Sequence, residues 1–134
     1  MTTRASNRYQ AMEIEGLSGP RLVVLVYANL LAALRQGHRA IGLQDHEARS
    51  KSLCRARDLV AELLLTLDRE AGGQLAGNLT ALYLFYIREI TQVDLHPDAI
   101  RLAKLIELVA TLHEAWQQAA AQLAEQPVPA LADA

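Results

Sequence analysis

The sequence predicts an all-α fold, namely an antiparallel up-down-up-down four-helix bundle with a short N-terminal segment. Apolar residues recur at every third or fourth position along four stretches of the 134-residue chain, which is the period of an amphipathic helix. The four prolines and seven glycines fall at the boundaries of these stretches, where helices end. No stretch shows the period-two alternation that a half-buried β-strand requires. A chain of this length is expected to form one domain.

The first helix is predicted from about residue 19 to residue 42. Ser18 is its expected N-cap, and Pro20 stands in the first turn, where its missing N–H costs nothing. Gly37 and Gly42 weaken the end of this helix, and Gln44 begins a short turn. The apolar positions of its stripe are Leu22, Leu25, Val26, Leu30, Ala33, Leu34 and Ile41.

The second and third helices are separated by Gly72 and Gly73, since two adjacent glycines break a helix and permit a tight reversal. The stripe of the second helix is Leu53, Ala56, Val60, Leu63, Leu64 and Leu67. The third helix is predicted over residues 74–93, and one side of it carries Leu75, Leu79, Leu82, Tyr83, Tyr86 and Ile90.

The fourth helix is predicted to begin near Pro97, with Asp94 or Asp98 accepting from free N–H groups at a helix end. Its stripe is Leu102, Leu105, Ile106, Val109, Leu112, Trp116 and Leu123. Pro127 and Pro129 end it. The chain is thus divided into an N-terminal flap segment, residues 1–17, a four-helix bundle, residues 18–124, and a disordered tail, residues 125–134.

Composition excludes several classes of partner. The net charge is −2 and acids and bases are mixed along the chain, so no basic patch is expected to bind nucleic acid or an anionic membrane. No apolar stretch approaches the roughly 20 residues that span a bilayer, and residues 1–7 do not resemble a signal peptide. Cys54 is the only cysteine, which excludes an internal disulfide and suits a reducing cytoplasm.

Residues that carry catalysis or bind metals are not arranged in any recognisable motif. The histidines are scattered over different segments, at His38, His46, His96 and His113, without the spacing of a zinc or di-iron site. Gly72 and Gly73 are not followed by the lysine and serine or threonine of a phosphate loop. Cys54 has no partner base and is interpreted as a small core or boundary residue. We therefore predict no catalytic residue, no cofactor and no metal, and a protein that is not an enzyme.

The third and fourth helices carry more apolar residues than one bundle face needs. The run from Ala81 to Ile87 is apolar all the way round, and more than half of the fourth helix near Leu108 is apolar. This surplus predicts a groove for an amphipathic helix of a partner, a fully buried central helix, or a weak homodimer interface. Periodicity alone does not separate these interpretations. Trp116 is interpreted as core, and Tyr83 and Tyr86 as core or groove residues.

Four sequence elements in one order resemble a known family. The segment from Leu67 to Tyr83 contains leucine-aspartate, the glycine pair, asparagine-leucine and leucine-tyrosine, and resembles the central signature of the flagellar secretion chaperone FliS. The other three elements are Arg8-Tyr9-Gln10, Leu25-Val26-Tyr27 and Glu114-Ala115-Trp116. Val93-Asp94 stands where the family often has alanine-asparagine.

The resemblance implies a non-catalytic helical bundle in the cytoplasm. Such a protein binds the disordered C-terminal region of flagellin, prevents its premature polymerisation and assists its delivery to the type III flagellar export apparatus. The alternative from the residues alone is a helical adaptor or a homodimeric structural bundle. The predicted client-binding residues are Tyr9, Met12, Ile14, Tyr27, Leu79, Leu82, Tyr83, Tyr86, Leu105, Leu108 and Leu112.

The N-terminal segment has its own predicted role. Tyr9, Met12 and Ile14 give it a weakly amphipathic character, and so short a helix is marginal on its own in water. It is therefore expected to order against the bundle. Two interpretations remain open: the segment covers a groove until a client displaces it, or it is permanently docked and stabilises the bundle.

Overall fold

A computed structural model of the chain describes residues 19–69 and 73–125. All regular structure in these ranges is helical, and the elements are α1 (Gly19–Gly42), α2 (His46–Arg69), α3 (Gly73–Leu95) and α4 (Ala99–Glu125). The predicted all-α four-helix fold is therefore confirmed. The predicted flap segment, the N-cap Ser18 and the tail beyond residue 125 lie outside the described residues.

Contacts between the helices give the order of the bundle. α1 packs against α2 and α4, α2 packs against α3, and the contact between α3 and α4 is the smallest of the four. Arg49 at the start of α2 bonds Asp94 near the end of α3, and Arg101 near the start of α4 bonds Glu89 on α3. Successive helices therefore run antiparallel, and α3–α4 is the loosest seam.

The turn after α1 is closed by backbone hydrogen bonds. The N–H of Asp45 donates to the carbonyl of Ala40 at 2.9 Å, and the N–H of Gln44 donates to that of Ile41 at 3.1 Å. This pair of bonds is a Schellman motif, which requires a left-handed residue just past the helix. Gln44 takes that conformation with a φ of 56°, although glycine is the usual residue there. The turn predicted to begin at Gln44 is therefore present.

Aspartates cap the helices that start at this end. The N–H of Ala48 donates to Asp45 Oδ1, and the N–H of Arg101 donates to Asp98 Oδ1, both at 3.0 Å. Of the two caps considered for α4, Asp98 is the one used, so α4 begins at Ala99 rather than at Pro97. α3 correspondingly continues to Leu95, beyond the predicted end at residue 93.

Asp94 does not cap α4 but forms two ion pairs. Its carboxylate accepts from Arg49 Nε and from Arg57 Nη2, each at 3.3 Å, and its side chain is largely buried. This arrangement ties the end of α3 to the first half of α2. No sequence pattern indicated it, because the partners lie on different helices.

The core follows the predicted stripes with two kinds of exception. Leu22, Leu30, Leu34, Leu53, Val60, Leu63, Ile90, Leu102, Leu105 and Val109 are all buried. Leu25 of the first stripe is only half-buried, whereas Tyr27 and Leu31, which were outside it, are in the core.

Gly37 is a packing position rather than a weak helix end. It is buried in α1, and a Cβ on it would lie 2.8 Å from Leu53 Cδ2 and 3.2 Å from Leu53 Cγ. The missing side chain therefore lets α1 and α2 approach closely.

No helix in the described ranges is long and apolar enough to cross a membrane.

Candidate functional site

An apolar cavity of about 330 Å³ opens at the end of the bundle where α1 begins, α2 ends and α3 begins. We call this the cavity end. All four helices contribute to its walls, which are formed by Gly19, Pro20, Val23, Leu63, Thr66, Leu67, Leu75, Ala76, Leu79, Tyr83 and Trp116. Aliphatic and aromatic groups dominate, and no charged side chain is among them. Such a lining suits apolar side chains of a bound segment.

Thr66 contributes little polarity to this cavity. Its hydroxyl donates to the backbone carbonyl of Glu62 at 3.1 Å. Because the hydroxyl is already bonded within α2, the cavity wall that Thr66 presents is effectively its methyl group.

A cluster of aromatic rings lies beneath the cavity. The Tyr27 ring centroid is 6.4 Å from those of Tyr83 and Trp116 and 6.5 Å from that of Tyr86. These tilted and edge-on arrangements are favourable for aromatic pairs. The cluster joins α1, α3 and α4, so the rings help to hold the otherwise loose α3–α4 seam.

The tyrosine hydroxyls in this cluster do not provide acid–base chemistry. Burial raises the pKa of Tyr83 and of Tyr86 far above the usual value, and the Tyr27 hydroxyl adds to both shifts. The Tyr27 and Tyr86 oxygens are 3.4 Å apart, a long separation for a hydroxyl pair. Tyr83 and Tyr86 are therefore neutral structural groups at physiological pH.

Two buried polar atoms on α4 have no hydrogen-bond partner among the described residues. They are Trp116 Nε1 and His113 Nε2, three residues apart and hence neighbours on the helix surface. The indole nitrogen can only donate a hydrogen bond. An unpaired buried donor costs about 1–3 kcal/mol, so a covering segment that offers a carbonyl oxygen would gain that free energy.

Beyond the cavity, apolar side chains remain exposed on α3 and α4. Leu75, Leu84 and Leu108 are among them, and Leu65 on α2 is exposed as well. Glu89 faces Arg101 across the antiparallel pair, so Leu84 and Leu108 lie at about the same height of the bundle. The apolar surplus predicted for α3 and α4 is therefore only partly absorbed by the core.

The predicted client-binding residues fall into three groups. Tyr27, Tyr83, Tyr86 and Leu105 are buried; Leu79, Leu82 and Leu112 are half-buried; and Leu108 is exposed. Leu79 and Tyr83 come together in the cavity wall. Tyr9, Met12 and Ile14 lie outside the described residues.

Sequence reasoning missed part of the cavity wall. Trp116, interpreted as core, is half-buried and lines the cavity, and Leu67 and Leu75 join it across the break between α2 and α3. The sequence did contain a signal for the accessibility of Leu75. This leucine lies in the first turn after a helix break, where few other residues of the bundle can cover it.

The remaining reactive side chains do not form a second site. Cys54 is exposed rather than a core or boundary residue, because its position on α2 faces away from the stripe that packs on α1. Within residues 19–69 and 73–125, no group of three histidine, cysteine, aspartate or glutamate side chains is placed to hold a metal ion.

Comparison with known proteins gives a consistent result. The family model described as "Flagellar protein FliS" matches residues 1–123. The flagellar secretion chaperone FliS of Vibrio cholerae is 29% identical over 106 residues, covering 79% of this chain and 78% of that protein. The protein of the same name from Bacillus subtilis is 27% identical over 111 residues, covering 83% and 82%. That of Campylobacter jejuni is 29% identical over 114 residues, covering 85% and 89%.

Proposed function

Because the chain belongs to the FliS family of flagellar proteins, we propose that it binds the disordered C-terminal region of flagellin in the cytoplasm. There it prevents premature polymerisation of flagellin and assists its delivery to the type III flagellar export apparatus. The family itself supports a role as an export chaperone rather than an enzyme. The observation that carries the choice of site is the apolar cavity walled by Leu75, Leu79 and Trp116.

The proposed mechanism is burial of apolar side chains. An amphipathic client helix places one or two side chains in the cavity and continues over exposed leucines such as Leu84 and Leu108. Burying one leucine-sized side chain contributes about 1.5–3 kcal/mol. Ordering a disordered segment opposes this by about 1–2 kcal/mol per residue for the backbone alone. One anchor is therefore insufficient, and the client must wrap over a long apolar surface.

In this mechanism, the buried members of the predicted client-binding set support the binding surface. Tyr27, Tyr86 and Leu105 are covered by other side chains, so they shape the surface without touching a client in this conformation. Leu79 touches the client in the cavity, where the buried Tyr83 forms part of the wall, while Leu108 and Leu112 touch it on α4.

The N-terminal segment is proposed to compete for the same cavity. Gly19 and Pro20 lie in the cavity wall, so the preceding residues are joined to the chain directly beside it. Tyr9, Met12 and Ile14 would cover the cavity when no client is bound, and a carbonyl of that segment would accept from Trp116 Nε1. Competition lowers the apparent client affinity by the fraction of time the cavity is open.

The test of the client is calorimetry with a peptide of the flagellin C-terminal region and the full chain. We expect heat release and a negative change in heat capacity, since apolar surface is buried. Leu75→Gln should weaken binding about tenfold or more. Leu43→Gln is the matched control, because Leu43 is also a highly exposed leucine but lies at the opposite end of the bundle. Absence of both heat and heat-capacity change would refute the proposal, and a concentration-dependent dimer in its place would favour a structural bundle.

The test of the N-terminal segment is deletion of residues 1–17. If the segment competes with the client, deletion strengthens peptide binding and lowers the melting temperature. If Tyr9 instead helps to form the site, Tyr9→Ala weakens binding. Unchanged affinity in both variants would leave the segment without a role in client binding.

A further inference from the structure

The cavity wall contains a buried hydrogen-bond donor that lacks an acceptor. Trp116 lines the cavity, and its Nε1 is buried without a hydrogen-bond partner among the described residues. An indole N–H donates a hydrogen bond and has no capacity to accept one. Thr66, also in the wall, already donates its hydroxyl to the backbone carbonyl of Glu62. The unmet polar requirement of the described wall is therefore a hydrogen-bond acceptor.

The ends of the helices around the cavity favour the same kind of group. Both α1 and α3 begin there, and their first turns line the wall at Gly19 and Leu75. Neither helix has an acidic residue in its first turn. α2 ends beside the cavity at Leu67, whereas α4 continues for nine residues past Trp116, or about 13 Å. Two positive dipole ends and one negative end thus adjoin the cavity, which favours a group with partial negative charge.

A bound helix offers such an acceptor only at one of its ends. In the interior of an α-helix each carbonyl already accepts from an N–H four residues further on, whereas the last four carbonyls have no partner within the helix. The described cavity wall contains no charged side chain, so a full carboxylate would be buried there without a counter-ion, which is strongly unfavourable. The carbonyls of a last turn together carry only about half a negative charge, so they suit this wall better.

The exposed leucines indicate where the rest of such a helix lies. Leu84 is nine residues along α3 from Leu75, and Leu108 is eight residues along α4 from Trp116, so both lie about 12–13 Å from the cavity along their helices. Both are exposed, and both lie toward the opposite end of the bundle. A helix that has its last turn at the cavity and covers these two leucines therefore has its N-terminal part over the middle of α3 and α4.

We propose that Trp116 sets the polarity of the bound client. The client helix runs antiparallel to α3 with its C-terminal turn at the cavity, and a carbonyl of that turn accepts from Trp116 Nε1. This inference rests on the proposed function, because it takes the client site as given. The client carbonyl replaces the one that the N-terminal segment offers when no client is bound, and the side chains that cover Nε1 move apart as the client enters.

The reverse orientation is disfavoured by the same groups. It would bring the first N–H groups of the client helix, which are donors without partners in their own helix, against another donor, Trp116 Nε1. The positive end of the client dipole would also meet the N-terminal ends of α1 and α3. Burial of apolar area is the same in both orientations, so the hydrogen bond and the dipoles decide between them.

The test of polarity uses NMR on the full chain, in which a single tryptophan gives one indole N–H signal. The probe is a peptide of the flagellin C-terminal region, trimmed to the shortest length that still binds in calorimetry, with a nitroxide label at its C-terminus or at its N-terminus. We expect the C-terminal label to broaden the Trp116 indole and Leu75 methyl signals most, and the N-terminal label to broaden those of Leu84 and Leu108 most. The indole proton should move downfield on binding, as it gains an acceptor.

The test of the hydrogen bond replaces Trp116 by its benzothienyl analogue, in which sulfur takes the place of the N–H and the ring shape is kept. We expect this chain to bind the peptide about three- to tenfold more weakly. The heat-capacity change on binding should be unchanged, because the buried apolar area is the same. Amidating the C-terminus of the unlabelled peptide should leave its affinity unchanged, since carbonyls and not a carboxylate are bound.

Failure of this inference and failure of the proposed function give different results. If the natural chain does not bind the peptide at all, the proposed function is wrong and the inference falls with it. If the peptide binds but the N-terminal label broadens the indole signal more than the C-terminal label does, the proposed function stands and the polarity is wrong. Equal affinity of the benzothienyl chain would overturn the hydrogen bond, and loss of binding on amidation would assign the donor to a terminal carboxylate instead of a helix carbonyl.

Discussion

Replacing Gly37 by alanine sets two effects of known size against each other. In the interior of a helix, alanine is favoured over glycine by about 1 kcal/mol, so α1 by itself would become more stable. In the bundle, the new Cβ would stand 2.8 Å from Leu53 Cδ2 and 3.2 Å from Leu53 Cγ. Leu53 is fully buried, so its side chain has little room to retreat, and overpacking of this kind costs about 1–3 kcal/mol. We expect Gly37→Ala to lower the free energy of unfolding by up to about 2 kcal/mol.

Urea denaturation followed by circular dichroism measures this change directly. Gly77→Ala is the matched control, because Gly77 is exposed within α3 and a Cβ there meets nothing within 4 Å. That variant should be stabilised by up to about 1 kcal/mol. In a double-mutant cycle, Leu53→Ala should cost less in the Gly37→Ala background than in the natural chain, because it removes both crowded atoms. The reasoning is refuted if Gly37→Ala stabilises the protein as Gly77→Ala does.

Three further predictions concern stability. Leu63→Ala and Leu105→Ala should each cost about 2–5 kcal/mol in urea titrations, since both side chains are buried; losses below about 1 kcal/mol at both would place the core elsewhere. Asp94→Asn removes the charge shared by two arginines at 3.3 Å, so we expect a loss of about 1–2 kcal/mol that shrinks at high salt; a loss independent of salt would contradict a charge effect. The hydrogen bond from Arg101 holds the pKa of the Glu89 carboxyl below the usual 4.5. The ionised carboxylate therefore stabilises the fold at pH values above the unfolded-state pKa, and this stabilisation is lost as the pH falls through the lowered folded-state pKa. The urea midpoints of the natural chain and Glu89→Gln should therefore differ at neutral pH and converge in acid, and a constant difference would refute this linkage.

The position of the helices followed from local rules. Apolar period, capping aspartates and the glycine pair act within a few residues of one another, so the four helices could be placed to within two residues at most ends. The misses have local causes. Asp98 rather than Pro97 set the start of α4, and α3 continued to Leu95 rather than ending at residue 93.

The candidate site was predicted less well than the fold. Leu79 and Tyr83 were named and do line the cavity. Tyr86 and Leu105 were named with them but are buried beneath the surface. A helical stripe shows which side of one helix is apolar, but only the neighbouring helices decide which of those residues stay accessible.

The sequence by itself determined that this chain forms four amphipathic helices, that α3 and α4 carry more apolar surface than one core face needs, and which family it resembles. These properties depend on residue spacing along one chain, and spacing is visible without coordinates. Only the tertiary structure decided that Gly37 is a close-packing position against Leu53, that Asp94 joins two arginines of α2, and that Trp116 lies in a cavity wall with its indole N–H unpaired among the described residues. Each of these depends on the distance between atoms far apart in sequence, and those distances are set by how four helices of similar length pack around one core.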